Sequence, residues 1–353
     1  IINIAIGSPD LAPSNTVIKA IQNAVTLPDA HQYQSYQGIP ELRSGIANFY
    51  KDNYNVSLNP ATEILPLMGS KEGIMHISMA FLNKGDKVLI PNPGYPTYAS
   101  VTNLVEAEPV LYNLNEATNW LPNFEELEQQ DLSKVKIMWI NYPHMPTGAV
   151  ASKEDFKQLI TFAKKHQILI VNDNPYSFIL NEKPLSILEI EGAKEIAIEL
   201  NSLSKTFNMA GWRVGMVVGD AEIIKTILKV KSNMDSGMFF GIQKGAVEAF
   251  KLSNDWFKAQ NEIYKKRRAL VWQIFDALDC TYNKNIGGVF VWAKLPKRIK
   301  SEDITDDLLY NKNVFITPGT IFGSNGEGYL RASLCVSEEV LSEVLNRIIT
   351  VKI

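Results

Sequence analysis

The sequence predicts an α/β protein built as two lobes, and three observations lead there. The chain has 353 residues, more than a single hydrophobic core usually organises. Between about residue 62 and residue 220, short apolar runs alternate with segments long enough to hold crossover helices. After about residue 240 the alternation gives way to a long helical stretch and then to strands and helices in α+β order.

The elements follow in chain order. The opening IINIAIG (1–7) is strand-like and is assigned to the second lobe, which makes that lobe discontinuous. The runs DKVLIP (86–91), VKIMWIN (135–141), ILIVND (168–173), IAIELNS (196–202) and VGMVVGD (214–220) are almost continuously Val, Ile and Leu. Runs of that kind are buried on both faces, so they predict a largely parallel sheet between two helical layers. Helical spacing then extends roughly from Gln243 to Leu278, followed by a strand in VFVWAKL (289–295), a helix near 302–311, a strand in YLRASLC (329–335) and a terminal helix. No internal repeat or low-complexity linker interrupts this order.

Composition removes several function classes. With 46% apolar and 21% charged residues, and no apolar run approaching about 18, no membrane role is indicated. A net charge of −3 with scattered Lys and Arg gives no footprint for nucleic acid. The basic run Lys265-Lys266-Arg267-Arg268 lies in a helical stretch and reads as a solvated face. Cys280 and Cys335 are far apart and in no CxxC pattern, so neither a disulfide framework nor a zinc site is expected, and the reducing cytoplasm fits. The start at Ile1 lacks the charged and long apolar regions of a leader and reads as trimmed rather than targeted.

Five segments carry chemistry. In NSLSKTFNMAGWRVG (201–215) a strand ends in Ser-x-Ser-Lys. Lys205, beside a nearby cation, can have its ammonium made acidic enough to act as a nucleophile toward an aldehyde. Ser202, Ser204 and Arg213 can surround a phosphate. GSKEG (69–73) opens a helical stretch, and a helix N-terminus at Ser70 and Lys71 offers free amides to an anion. In VNDNPYSF (171–178), Asp173 ends an apolar strand, where α/β sheets bind ligands, and can pair with a protonated ring nitrogen, with Tyr176 close to a ring oxygen. PNPGYPTY (91–98) places Tyr95 to stack on a flat ring, and YLRASL (329–334) presents Arg331 as a bidentate carboxylate clamp. Each fragment alone has an ordinary structural reading: a surface lysine after a strand, a helix cap, a packed loop or a surface ion pair.

Taken in order, AIGSPD, YQSYQGIPELR, GSKEG, PNPGYPTY, a PTG turn, NDNPYSF, SLSKTFNMAGWRVG, KSNMDSG and GYLRASL resemble the fold-type-I, class I/II aminotransferases over essentially the whole chain. The resemblance implies a seven-stranded, mostly parallel sheet between helices in a large domain at 29–245, and a smaller α+β domain from 1–28 and 246–353. It implies pyridoxal 5'-phosphate as cofactor, with Lys205 as its covalent anchor and proton carrier. Asp173 is implied at the ring nitrogen, Tyr176 at the phenolic oxygen and Tyr95 on the ring face. Ser70, Lys71, Ser202, Ser204 and Arg213 are implied at the phosphate. Arg331 and the backbone at Gly7 are implied at the substrate carboxylate. Tyr33 and Asn233 are implied to reach the site of a neighbouring subunit, so a homodimer with shared sites is expected. The substrates implied are an amino acid and a 2-oxo acid, glutamate and 2-oxoglutarate forming one pair. HQYQSYQGIPELR, PLMGSKEGI and LSKTFNMAGWRVG look most like the branch of LL-diaminopimelate aminotransferases.

One departure stands out. The family usually has asparagine before the PTG turn, and NYPHMPTG puts Met145 there. A thioether cannot donate a hydrogen bond to the phenolic oxygen. Asn141 and His144 are the neighbours able to replace it. The same residues are compatible with two other outcomes. A β-C–S lyase uses the same lysine, aspartate and arginine. A non-catalytic effector-binding domain has no need to keep all of them. A dinucleotide dehydrogenase is disfavoured because no GxGxxG follows the first strand–helix unit.

Overall fold

The computed structural model describes residues 1–297 and 299–349. Its centre is a seven-stranded sheet in the spatial order Ile64–Leu67, Gly215–Val218, Ala197–Ser202, Leu169–Asp173, Val135–Ile140, Lys87–Asn92 and Glu108–Asn113. All pairings are parallel except those of Gly215–Val218, which runs antiparallel to both neighbours. Side chains alternate between faces as the pleat requires. Val88, Ile90 and Val217 pack with the helices Ser70–Phe81 and Pro96–Leu104, while Leu89, Met216 and Val218 pack with Pro40–Tyr54 and Lys153–His166 on the other side.

Two strands escape the apolar-run pattern, and both are edges. Ile64–Leu67 contains Pro66, and Glu108–Asn113 contains Pro109 and exposes Glu108, Leu111 and Asn113. Proline cannot donate to a ladder, so it is tolerated at an edge and also discourages pairing with another chain.

The second lobe has its own core and a four-stranded antiparallel sheet in the order Thr317–Pro318, Tyr329–Ser333, Phe290–Lys294 and Thr281–Tyr282. Ile2–Asn3 pairs in parallel with Val314–Phe315, and the helix Asn15–Ala24 lies along Phe240–Ala249. The single long helix expected from Gln243 to Leu278 is two helices, Phe240–Ala249 and Asn254–Ala277. The break spans residues 250–253, and Ser253 and Asn254 stand where the second helix begins, residue types that favour helix starts over helix interiors.

The basic run also departs from expectation. Lys265 and Lys266 are exposed, but Arg267 is 3% exposed and bonds Asp10 at 2.6 and 2.8 Å and Glu338 at 3.3 Å. It lies three residues from buried Tyr264 and four from buried Val271, on the inward face of its helix. Its paired charge ties the opening segment and the terminal helix to Asn254–Ala277.

Candidate active site

The carboxyl ends of the parallel strands meet the small lobe around a cavity of about 630 Å3. Ser70, Lys71, Tyr95, Asp173, Tyr176, Ser202, Ser204, Lys205, Arg213, Gly7 and Arg331 all line it, although they come from segments up to 324 positions apart, from Gly7 to Arg331. Tyr33 and Asn233 do not. Tyr33 is 91% exposed, and Asn233 is exposed with its side chain bonded to the Lys229 carbonyl at 2.7 Å.

Lys205 follows the strand Ala197–Ser202 on the short turn Leu203–Thr206. Its Nζ donates to the Gly7 carbonyl. Burial lowers its ammonium pKa, and the cations Arg213 and Arg331 lower it further against an opposing influence from Cys335. A lowered pKa leaves more of the amine unprotonated, and the free amine is the nucleophilic form.

One wall suits a phosphate. The helix Ser70–Phe81 starts after Gly69, which has φ +87° and offers no side-chain cap, so the first amides are left for a ligand. The Arg213 guanidinium occupies the space a side chain at residue 69 would need. Across from it, a Cβ on Gly215 would stand 2.5 Å from the Ser70 amide nitrogen. Two glycines therefore let helix start, strand and guanidinium converge. Ser202 and Ser204 join through a 2.9 Å hydroxyl contact.

Opposite lies Asp173, 6% exposed at the end of its strand. Oδ2 accepts from the Tyr98 hydroxyl at 3.0 Å, whereas buried Oδ1 has no partner. With no cation at hand, desolvation pushes the carboxyl up to about 6, against the lowering effect of Tyr98. A protonated ring nitrogen supplies the missing charge and satisfies Oδ1, so the pocket fits a pyridine ring. Burial raises the Tyr176 phenol above its usual range, so it remains a donor.

Arg331, 9% exposed, forms no ion pair among the described residues. One nitrogen donates to the Ala5 carbonyl at 2.6 Å, another lies 3.3 Å from the Met145 sulfur, and Nε is buried without a partner. Its Cζ sits 3.8 Å from the Phe290 ring centroid and 4.5 Å from that of Phe322. Desolvation brings it down to about 10, still cationic at neutral pH. A guanidinium stacked in this way and lacking a carboxylate is prepared to take one from a ligand.

Of the two neighbours able to replace the asparagine, Asn141 lines the cavity and His144 does not. Asn141 gives its amide to the Asp173 carbonyl and accepts from the Met145 amide at 2.7 Å. His144 contacts Thr147 at 2.8 Å, lies outside the cavity and is kept neutral by burial, which takes it down to about 3. Two lining residues, Tyr98 and Phe290, carried no weight in the sequence, and neither did Phe322, which stacks on Arg331. Tyr98 stood inside the quoted PNPGYPTY, but only the fold shows which carboxylate it reaches.

Comparison with known proteins gives the family and the fold. The profile of the family described as aminotransferase class I and II matches residues 1–348. The chain is 41% identical to an LL-diaminopimelate aminotransferase of Dehalococcoides mccartyi, over 100% of this chain and 91% of that protein. Among solved structures it is similar to apo-BacF of Bacillus subtilis, with 38% identity, TM-score 0.95, and coverage of 99% of this chain and 94% of that one. It is also similar to an aminotransferase of Staphylococcus aureus, with 33% identity, TM-score 0.93, and coverage of 99% and 93%.

Proposed function

The chain belongs to the class I and II aminotransferases, pyridoxal-phosphate-dependent enzymes, and on that premise we propose that its cavity transfers an amino group between LL-diaminopimelate and a 2-oxo acid, with Lys205 as the catalytic base. The observation that carries the residue roles is the meeting of three groups in one cavity: the Lys205 amine, whose pKa burial lowers, Asp173, whose Oδ1 has no partner, and the Arg331 guanidinium, which forms no ion pair among the described residues. The substrate rests on the D. mccartyi relative, whose name specifies that amino acid.

In this reading the phosphate would be held by the amides of Ser70 and Lys71, the hydroxyls of Ser202 and Ser204, and Arg213. Tyr95 would cover the ring, Tyr176 would donate to its phenolic oxygen, and Asp173 would hold a proton on its nitrogen. When bound, the cofactor supplies an electron sink for the charge left on the substrate's α-carbon. Arg331 grips the α-carboxylate, with the Gly7 backbone at the same end, and so fixes which bond faces Lys205. Lys205 Nζ takes the proton from the donor's α-carbon, and in the return half-reaction delivers one to C2 of the acceptor. Glutamate and 2-oxoglutarate form the second pair.

We take residues 29–245 as the cofactor lobe and 1–28 with 246–353 as the lobe that closes over substrate. The pairing of Ile2–Asn3 with Val314–Phe315 supports the discontinuous lobe, and the helix Asn15–Ala24 bridges the two. A homodimer in which Tyr33 and Asn233 complete the neighbour's site accounts for an aromatic ring left 91% exposed. The cytoplasm is the compartment proposed, in keeping with two buried, unpaired cysteines.

The test is a coupled assay of glutamate formation from 2-oxoglutarate with LL-diaminopimelate, aspartate, methionine or aromatic donors. The proposal expects the highest kcat/KM for LL-diaminopimelate and a drop of about 1,000-fold or more in Lys205→Ala. A clear preference for another donor would overturn the substrate, and pyruvate released from a cysteine-type donor without any acceptor would mark a lyase instead.

A further inference from the structure

We propose that Tyr98 is a positioning residue for the reaction: it pins one oxygen of Asp173, so that the other is presented, charged and alone, to the ring nitrogen of the cofactor. The inference rests on the reading of Asp173 given above. Nothing in the sequence motifs assigned Tyr98 a role, and its hydroxyl is the only side-chain donor to the Asp173 carboxylate among the described residues.

The geometry leaves little freedom. Tyr98 is 1% exposed, and its ring is stacked on Trp139 with centroids 4.9 Å apart and planes 6° from parallel. Tyr95 meets its edge at 5.5 Å and 88°. Below the ring, the Tyr98 amide donates to the Tyr95 carbonyl at 3.1 Å, and Thr102 Oγ1 donates to the Tyr98 carbonyl at 2.8 Å. A single turn at the start of the helix Pro96–Leu104 thus sets both the ring-stacking Tyr95 and the donor to Asp173. Desolvation keeps the phenol protonated far beyond its normal range, so the hydrogen bond has one direction, from Tyr98 to the carboxylate.

Two consequences follow. A carboxylate held at Oδ2 is restrained from rotating, which leaves Oδ1 as the oxygen free for a ligand. A donor to the charged form also favours ionisation against the desolvation that opposes it. Without that bond, Asp173 is more readily neutral, and a neutral acid holds a pyridinium less well. Charge-assisted hydrogen bonds of this kind are the stronger class.

Tyr98→Phe keeps the ring, the stack and the volume, and removes only the hydroxyl. The holoenzyme is expected to lose about ten- to a hundredfold in affinity for pyridoxal 5'-phosphate, measured by titrating apoenzyme. Its kcat is expected to fall about tenfold or more while KM for the amino donor stays within about threefold, because Arg331 is untouched. A role confined to packing would not produce that split. In an Asp173→Asn background the same substitution should change cofactor affinity by less than about twofold, since the two side chains act through one bond. Unchanged affinity and kcat in Tyr98→Phe, or an equal loss in the Asp173→Asn background, would overturn the proposal. Failure of the unsubstituted protein to bind the cofactor would instead overturn the reading of the site itself. If Tyr98→Phe does not fold, Thr102→Val, which releases the Tyr98 carbonyl but leaves the hydroxyl, is expected to weaken cofactor affinity by less than about threefold, and a tenfold loss there would count against a specific role of the hydroxyl.

Discussion

Met145 places a sulfur 3.3 Å from an Arg331 nitrogen in a position where the family resemblance led us to expect an asparagine. His144 lies outside the cavity, and Asn141 spends one amide N–H on the Asp173 carbonyl and its oxygen on the Met145 amide. Met145→Asn restores a donor near the phenolic oxygen and should move the pH midpoint of the bound cofactor's visible absorbance down by about one unit. An unchanged midpoint would show that position 145 does not sense that oxygen. A second residue-scale effect lies behind the sheet. Glu199 is fully buried between Tyr50, which donates to it at 2.9 Å, and Asn172, which donates at 2.9 Å, and desolvation pushes it up to about 7 from 4.5. Between those values the folded chain keeps a proton that the unfolded chain has released, so stability falls as pH rises through the window. Glu199→Gln should therefore flatten the dependence of Tm on pH there and raise Tm at alkaline pH. A steeper slope in the variant would contradict this. Lys205, Asp173 and Arg331 were legible from residue type and strand position. Tyr98 and Glu199 were not, since their importance comes from partners 75 and 149 positions away, at Asp173 and Tyr50.

At the scale of elements, the phosphate wall depends on close approach between the strand Gly215–Val218 and the start of the helix Ser70–Phe81. A methyl at residue 215 would press on the Ser70 amide nitrogen at 2.5 Å and the Asn201 carbonyl at 2.9 Å, both backbone atoms with little room to yield. Gly215→Ala is expected to cost about 1–3 kcal/mol of stability by denaturant unfolding. It should also weaken pyridoxal 5'-phosphate binding far more than binding of unphosphorylated pyridoxal. Equal loss for the two would place the damage elsewhere. The buried strands were legible because parallel strands covered on both faces read as continuous apolar runs. The two edge strands were not, since Ile64–Leu67 is only four residues long and is interrupted by Pro66, and Glu108–Asn113 leaves Glu108, Leu111 and Asn113 exposed. The long helix was overextended because Phe250 and Leu252 keep the spacing apolar while the backbone turns, before Asn254 starts the next helix.

For the whole molecule, the two-lobe plan followed from length and from the change of pattern after residue 240, and the structure adds what joins the lobes. Lys294 of the small lobe bonds Glu116 at 2.6 Å, and Trp120 meets Trp292 and Tyr329 edge-on at 6.2 and 5.4 Å. Sequence pattern cannot register contacts across such a seam, nor show which exposed groups a second subunit covers. If Tyr33 completes the neighbour's site, co-expressing Lys205→Ala with Tyr33→Ala should recover up to about a quarter of normal activity, because one site of each mixed dimer is intact. No recovery would contradict shared sites. The claim on which the rest depends is that Lys205 holds the cofactor and carries the proton during amino transfer. The most direct measurement is the absorbance of the purified protein between about 300 and 500 nm, with and without Lys205→Ala, before and after adding glutamate or LL-diaminopimelate. The account expects a band that requires Lys205 and that an amino donor bleaches. A band that survives in Lys205→Ala, or that no amino donor changes, would contradict it.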